Sequence, residues 1–257
     1  MSILDGVQKV LGLYAGGSSE LSFTEVAARL DMPRSSASRL LNQMQLYGLL
    51  EQDLVTRRYR PGLLLQQAVQ VGAAATPLDD ACRAVLAALS ERSGLTAYLS
   101  TLNDRETVVL QRLNGLHPVQ VLSSPGSRRA ASGTAMGRAL LSRLSGAEFE
   151  LLYGSDPAQV LPPEGQGGPA TVGELRARAE QARADRLAVA IHEAMPGIGA
   201  IAAAVRDPQT QELRGLCISF MSYGVRPAQL ATWRSLVADE VGALGRRLND
   251  PFWLGAG

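Results

Sequence analysis

Two arginines and three serines lie between positions 34 and 39, close enough in sequence to share one helix face. Three more arginines follow near position 60. Arginine forms paired hydrogen bonds with phosphate and guanine, and serine hydroxyls contact phosphate oxygens. The chemistry that these residues could do is binding of duplex DNA, the first group in the major groove and the second on the backbone or in the minor groove. The candidate residues are Arg34, Ser35, Ser36, Ser38 and Arg39, followed by Arg57, Arg58 and Arg60.

A second candidate site is the run of small residues from Gly133 to Gly137. The run lacks the lysine and the glycine spacing of a P-loop, so nucleotide binding is not expected. Small residues at the start of a helix let an anionic ligand approach the free backbone N–H groups. The pattern favours a ligand pocket between this helix and two later strands. Simple close packing of the helix on a sheet is the alternative.

Residues that could catalyse a reaction are few and isolated. His192 has only a sequence neighbour, Glu193, beside it, and His117 precedes a proline in a loop. Cys82 and Cys217 are far apart, which excludes a disulfide scaffold and a zinc module. The sequence has no serine in a Gly-x-Ser-x-Gly turn. We therefore expect no catalytic residue, no metal site, no cofactor and no enzymatic activity.

Composition limits the class of protein without identifying it. The 257 residues are 46% hydrophobic, and 25 basic residues face 24 acidic ones, for a net charge of +1. A net charge this close to zero does not indicate nucleic-acid binding. Because Lys9 is the only lysine, the argument for DNA binding depends on where the arginines lie. No apolar run reaches the roughly 18 residues of a membrane span, and no secretion signal is visible at the N-terminus. We expect a cytoplasmic protein without a membrane partner.

The elements that would position the DNA-binding residues are three helices and a hairpin. Apolar residues recur at three- and four-residue steps from Ile3 to Ala15, and Ser22-Phe23-Thr24-Glu25 is a capping box that starts a second helix. Pro33 forces a turn before the third helix, and a basic hairpin follows over residues 49–60. This order predicts a winged helix-turn-helix domain over residues 1–62.

The remainder of the chain predicts a linker helix and an α+β domain. The linker helix spans residues 63–77, and the second domain spans 78–250 with antiparallel strands between helices. Its predicted strands are Leu95–Leu99, Thr107–Leu113, Val119–Leu122, Ile198–Arg206 and Leu213–Met221, and its predicted helices are Leu78–Arg92, Gly133–Leu144, Val172–Ala184 and Pro227–Leu248.

The order and spacing of these segments resemble the IclR family of bacterial transcriptional regulators over nearly the full length of the chain. Each segment alone is a moderately specific sign of the family, and their order and spacing together are a strong one. The segments that carry the resemblance are Val7–Leu11, Thr24–Ala27, Pro33–Leu41, Tyr59–Gly62, Gly126–Leu141 and Ile198–Ser222.

The resemblance implies a winged helix-turn-helix joined by a helix to a GAF-like effector-binding domain, assembled as a homodimer or a dimer of dimers. It implies as partners a duplex DNA operator and a small organic effector, often an aromatic or short carboxylic acid, that modulates DNA binding. The effector-binding residues expected on this basis are Thr134, Ala135, Met136, Ala190, Ile198, Ala200, Ser219 and Met221.

The chain departs from the family pattern at several pocket positions. Ala190, Ala200 and Met221 stand where an acidic residue, a cysteine and a serine are common, and Ser132 replaces a histidine. These changes reduce the polarity of the pocket positions, which favours a larger or more apolar effector, such as an aromatic one. Two alternatives stay open: a second domain that only oligomerises, or, with less support, an enzyme built on the α+β domain.

Overall fold

The computed structural model describes residues 3–15, 18–72, 77–116, 123–163, 165 and 167–255. The chain divides into two compact units, Met1–Thr76 and Pro77–Gly257. Within the described residues, no helix is long and apolar enough to cross a membrane.

The first unit is a helical domain with a two-stranded wing. Val10, Val26, Leu41 and Met44 meet in one core, to which Tyr59 of the wing adds its ring. The elements are α1 (Ile3–Ala15), α2 (Phe23–Arg29), α3 (Arg34–Leu46), β1 (Leu50–Gln52), β2 (Tyr59–Pro61) and α4 (Leu63–Gly72).

The start of α2 and the wing are joined by hydrogen bonds. Ser22 and Glu25 form the predicted capping box, in which each side chain accepts from the other residue's backbone N–H. Leu21, just before this box, exchanges two backbone hydrogen bonds with Tyr59, at 2.8 and 2.9 Å. The wing is therefore attached to the start of α2 as well as to its own partner strand.

The second unit is built on a six-stranded antiparallel sheet in the order β5-β4-β3-β8-β7-β6. Its strands are β3 (Thr96–Asn103), β4 (Glu106–Leu113), β5 (Arg128–Ala130), β6 (Ala188–Ile191), β7 (Ile198–Arg206) and β8 (Leu213–Met221). The helices are α5 (Pro77–Ser93), α6 (Ala135–Leu141), α7 (Gly146–Tyr153), α8 (Val172–Asp185), α9 (Pro227–Arg247) and α10 (Pro251–Leu254).

Helices cover both faces of this sheet. Large apolar side chains such as Leu99, Ile218 and Trp233 form the core beneath α5 and α9. The opposite face is lined with smaller residues, among them Ala190, Ala202 and Cys217, and packs against α6 and α8. Because side chains alternate between faces along a strand, strands β3, β4, β6, β7 and β8 supply residues to both layers. The fold is thus α+β with an antiparallel sheet, which confirms the predicted class.

Several element bounds differ from the sequence prediction for local reasons. The strand predicted from Arg57 begins only at Tyr59, because Arg57 adopts a φ of 57° that no strand residue can have. The helix predicted from Gly133 is divided into a 3₁₀ turn (Ala131–Gly133) and α6, since Thr134 between them is extended (φ −131°, ψ 151°).

Some short elements were not predicted. Helices α7 and α10 and strand β5 have three to eight residues each, too few for a periodic pattern to stand out. The strand predicted over Val119–Leu122 and the residue His117 lie outside the described residues.

Candidate functional sites

Helix α3 has one buried face and one polar face. Ala37, Leu40, Leu41 and Met44 are buried in the first unit. On the other side lie the five predicted DNA-contacting residues of this helix. Ser38 is half-buried, and the other four are exposed: Arg34, Ser35, Ser36 and Arg39.

The polar face of α3 is open to an anionic partner. Within the part of the chain that the structure describes, Arg34 and Arg39 have no carboxylate partner. Pro33 at the N-cap provides no side-chain hydrogen bond to the helix start. Uncapped N–H groups and free guanidinium groups are the features with which a helix binds phosphate and base edges.

The same face continues into two amides that the sequence reasoning missed. Asn42 and Gln43 line a shallow surface groove together with Ser38 and Arg39. The Tyr59 hydroxyl donates to Oδ1 of Asn42 at 3.2 Å and orients this exposed amide. Amide side chains pair with adenine in the major groove. The three- and four-residue spacing from Ser38 and Arg39 is the signal that could have found them.

The three arginines of the wing differ in their surroundings. Arg58 binds the Glu25 carboxylate at 2.8 Å and lies 3.8 Å from Glu20. Arg60 is paired with Glu51 at 3.2 Å. Arg57 is exposed and has no ion pair with any described residue. Two of the three predicted contacts are therefore already partnered by carboxylates of their own domain.

One cavity of the second unit lies between α6 and the small-residue face of the sheet. Seven of the eight predicted effector-binding residues line it: Thr134, Ala135, Met136, Ala190, Ile198, Ala200 and Ser219. Met221 lies outside the cavity, because it is the last, half-exposed residue of β8. The sequence reasoning missed ten further lining residues, most of them on β3 and β4 or in the turn after β6: Tyr98, Ser100, Thr107, Val109, Ser123, Arg129, Ala194, Met195, Gly199 and Cys217.

The size and polarity of this cavity bear on the kind of effector that could bind. Its volume is about 100 Å³. A space of this size favours a compact effector, and the apolar or aromatic character expected from the sequence stays a prediction. The walls are mainly apolar. Four hydroxyl side chains also line the cavity, and none of them stands at a position where the chain departs from the family pattern: Ser100, Thr107, Thr134 and Ser219.

Arg129 is the charged side chain at the rim of the cavity. It lies on β5 opposite Thr107, another lining residue, and is exposed. No ion pair with a described residue neutralises it. Its neighbour Arg128 faces the other side of the strand and binds Glu106 at 2.7 Å. The cavity therefore combines an apolar interior with one free positive charge.

Burial keeps the tyrosine hydroxyl and the cysteine thiol of the cavity protonated. It raises the pKa of Tyr98, although Arg112 and Arg129 act in the opposite direction. Burial also raises the pKa of the Cys217 thiol to about 12. A thiol at such a pKa is a small apolar group rather than a nucleophile. The arrangement is suited to binding a ligand.

The turn that closes the cavity after β6 is held by a buried ion pair. Arg138 of α6 is 4% exposed and pairs with Glu193, and it also donates to the Val189 carbonyl at 2.8 Å. Nδ1 of His192 accepts from the Gly197 N–H at 3.0 Å, so this histidine has a structural contact in the turn. Ala194 and Met195 between them line the cavity.

The fold and these two surfaces define a class: a winged helix-turn-helix domain of the DNA-binding type, followed by an α+β domain with a small-molecule cavity. Models of two domains match the sequence, the IclR helix-turn-helix domain over residues 8–54 and the bacterial transcriptional regulator IclR C-terminal domain over residues 73–244. The chain belongs to the IclR family of bacterial transcriptional regulators.

Related regulators share the full length of the chain at low identity. The HTH-type transcriptional regulator XynR of Escherichia coli is 26% identical over 98% of this chain and 100% of its own length. The HTH-type transcriptional regulator BhcR of Paracoccus denitrificans is 26% identical over 92% of this chain and 83% of its own.

Solved structures agree in fold. An IclR homologue from Microbacterium hydrocarbonoxydans, crystallised as a complex with 4-hydroxybenzoate, has a TM-score of 0.77 at 19% identity, covering 96% of this chain and 99% of its own. An IclR regulator from Alicyclobacillus acidocaldarius has a TM-score of 0.75 at 20% identity, covering 98% of both chains.

Proposed function

We propose that this regulator binds operator DNA through the polar face of α3 and that a compact organic acid in the cavity of the second unit changes its affinity for DNA. The proposed effector has an apolar body of about one aromatic ring and a carboxylate directed at Arg129. The observation that carries this proposal is an apolar cavity of about 100 Å³ whose rim holds Arg129, a guanidinium group with no ion pair to any described residue.

The DNA-binding part of the proposal is supported by the contrast between α3 and the wing. Arg34 and Arg39 are exposed and have no carboxylate partner among the described residues, whereas Arg58 and Arg60 are ion-paired. We therefore assign base and phosphate contacts to Arg34, Ser35, Ser36, Ser38 and Arg39. Of the wing residues, Arg57 is the contact that the local charges favour, and Arg58 and Arg60 contribute less.

The proposed assembly is a homodimer or a dimer of dimers. A single helix-turn-helix reads few base pairs, and two copies placed on half-sites about one helical turn apart multiply the sequence specificity. Bacterial operators lie in the cytoplasm, which is the proposed location. We assign no catalytic step to the cavity, because the Cys217 thiol is held protonated and His192 is engaged in a turn.

Calorimetry with 4-hydroxybenzoate and benzoate as probes tests the effector class. Arg129→Gln should weaken binding of both by about 10-fold or more, as expected when a charged hydrogen bond worth ~1.5–3 kcal/mol is lost. Arg128→Gln is the matched control, since Arg128 lies next to it on β5 and binds Glu106 instead. Benzyl alcohol, which lacks the carboxylate, should bind more weakly than benzoate.

Three results would contradict the proposal. Equal affinity for benzyl alcohol and benzoate would remove the role of the carboxylate. Equal loss in the two arginine variants would mean that Arg129 acts only through general charge. No binding of any single-ring acid would favour the alternative in which the second domain only oligomerises, and light scattering would then still report a dimer or tetramer.

A further inference from the structure

A second cleft of the second unit shares no lining residue with the effector cavity. It lies where the C-terminal end of α6, the β7–β8 hairpin and α10 meet, and has a volume of about 450 Å³. Three of its side chains are arginines and one is a carboxylate. The lining residues are Ser142, Arg143, Arg183, Arg206, Pro208, Gln211, Asp250, Pro251 and Phe252.

The one carboxylate of this cleft is fully used within the protein. Asp250 is 1% exposed and accepts from Nη2 of Arg143 at 2.6 and 2.8 Å with its two oxygens. It also accepts the backbone N–H groups of Arg206, at 2.9 Å, and of Phe252, at 3.2 Å. Since one negative charge faces three guanidinium groups, the lining carries a net charge of +2.

Arg143 has donors that no described residue satisfies. Its side chain is 6% exposed and its guanidinium carbon lies 3.8 Å from the centre of the Phe252 ring. Nε and Nη1 are buried and have no hydrogen-bond partner. Buried donors without a partner are rare in proteins because each costs free energy, and they are common where a bound ion or water completes the site.

The other two guanidinium groups are only partly occupied. Arg183 is exposed and donates to the Leu144 carbonyl, with no carboxylate partner among the described residues. Arg206 donates to the Arg143 carbonyl at 3.1 Å, and its Nη1 lies 3.6 Å from the half-exposed Glu148 carboxylate. Burial lowers the pKa of Arg143, Asp250 opposes this effect, and repulsion from Arg206 and Arg183 adds to it.

We propose that this cleft binds a phosphate group, as inorganic phosphate or the phosphate of a small monoester. A phosphate monoester carries close to two negative charges at neutral pH, which matches the net charge of the lining. Guanidinium groups bind phosphate oxygens through paired hydrogen bonds. Arg183 and Arg206 would contact the ligand from the rim, and Arg143, whose two unpartnered donors are buried, would supply charge.

Calorimetry with inorganic phosphate at constant ionic strength tests this proposal, with the full-length protein. We expect saturable binding with one site per chain. Arg183→Gln should weaken it by about tenfold, the effect of a lost charged hydrogen bond. Arg176→Gln is the matched control, because Arg176 lies on the same helix, α8, but is paired with Glu150 outside the cleft.

A second variant should act in the opposite direction. Glu148→Gln keeps a side chain that can complete the capping box of α7 with Ser145, but it removes the charge beside Arg206. Phosphate binding should become about two- to fivefold tighter, in line with the strength of an exposed ion pair. Damage to the fold would weaken binding, so a gain of affinity separates the proposed site from a structural effect.

Dimethyl phosphate distinguishes the source of the ligand. It is a monoanionic diester like the DNA backbone, and it should bind more weakly than inorganic phosphate. Equal binding would assign the cleft to nucleic-acid backbone instead of a small monoester and would overturn the proposal. Absence of saturable phosphate binding, or equal weakening by Arg183→Gln and Arg176→Gln, would also overturn it and would leave Arg143 and Asp250 as a structural ion pair.

Discussion

At the scale of single residues, Arg39 gives the most direct test of the DNA-binding face. Its side chain is exposed on α3, opposite the buried Leu41. Arg39→Ala should weaken operator binding by about 1–3 kcal/mol, the usual worth of a specific contact to a base. Mobility-shift titration checks this with a duplex selected from random sequences by the wild-type protein.

The control for this prediction is Arg83→Ala, which removes an equally charged, exposed side chain from α5 in the second unit. Both variants should unfold at the temperature of the wild type, since neither arginine is part of a core. Unchanged retention of DNA by the Arg39 variant would contradict the assigned role of α3.

The sequence predicted the exposed polar face of α3 better than the ion pairs of the wing. Apolar spacing alone places Arg34 and Arg39 opposite a buried stripe, because helical periodicity is a local property. The ion pair of Arg58 with Glu25 joins residues 33 positions apart, and no local pattern reports it. Arg129 was missed for the same reason: β5 reaches the cavity only through its pairing with β4.

At the scale of elements, the capping box of α2 makes stability depend on pH. Glu25 accepts hydrogen bonds from the backbone and side chain of Ser22 and from Arg58, and these contacts lower its pKa from 4.5 to about 2. A group whose pKa is lower in the folded state stabilises the fold above its unfolded pKa and loses that effect as the pH falls. The contribution should therefore be complete above pH 4.5 and decline toward pH 2.

Glu25→Gln tests this pH dependence, because glutamine can still complete a capping box but carries no charge. The wild type should unfold at a higher temperature than the variant near neutral pH, and the difference should narrow as the pH falls below 4.5. Thermal unfolding followed by circular dichroism measures this difference. A gap of constant size across the acidic range would mean that the charge of Glu25 does not stabilise α2.

The start of α6 depends on a glycine for a steric reason. A Cβ on Gly137 would lie 1.9 Å from the Ala131 carbonyl oxygen, and backbone atoms can yield little. Gly137→Ala should therefore destabilise the protein by about 1–3 kcal/mol, the usual cost of overpacking. Gly146→Ala on α7 is the control, because nothing lies within 4 Å of its Cβ, and it should cause no loss. Denaturant unfolding distinguishes the two, and equal stability would remove the steric argument.

The elements that the sequence predicted well are those with long, strong patterns. Strands β7 and β8 match the predicted bounds because both are nine-residue apolar runs separated by a polar turn. Helix α7 was not predicted, because its eight residues are too few for a periodic pattern to stand out; the capping box of Ser145 and Glu148 is the local signal that marks its start. Thr134, which separates the 3₁₀ turn from α6, is the N-cap of α6 and accepts a hydrogen bond from the Gly137 N–H. A threonine before a helix is the sign that could have placed this boundary.

At the scale of the whole molecule, an effector can alter DNA binding only if it binds the DNA-competent and DNA-incompetent states with different affinity. The coupling free energy between the acid and the operator is the same whichever of the two binds first. If an acid in the cavity weakens operator binding by a given factor, saturating operator must weaken binding of that acid by the same factor. Factors of about 5–150 are typical.

This reciprocity can be measured directly in solution. Calorimetry gives the affinity for 4-hydroxybenzoate with and without saturating operator duplex, and mobility-shift titration gives the affinity for operator with and without the acid. We expect the two ratios to agree within error for the wild type. In the Arg129→Gln variant, the operator affinity without acid should be unchanged. A higher concentration of acid should be needed to change that affinity. Unequal ratios would mean that the acid acts through an additional event, such as a change in oligomeric state.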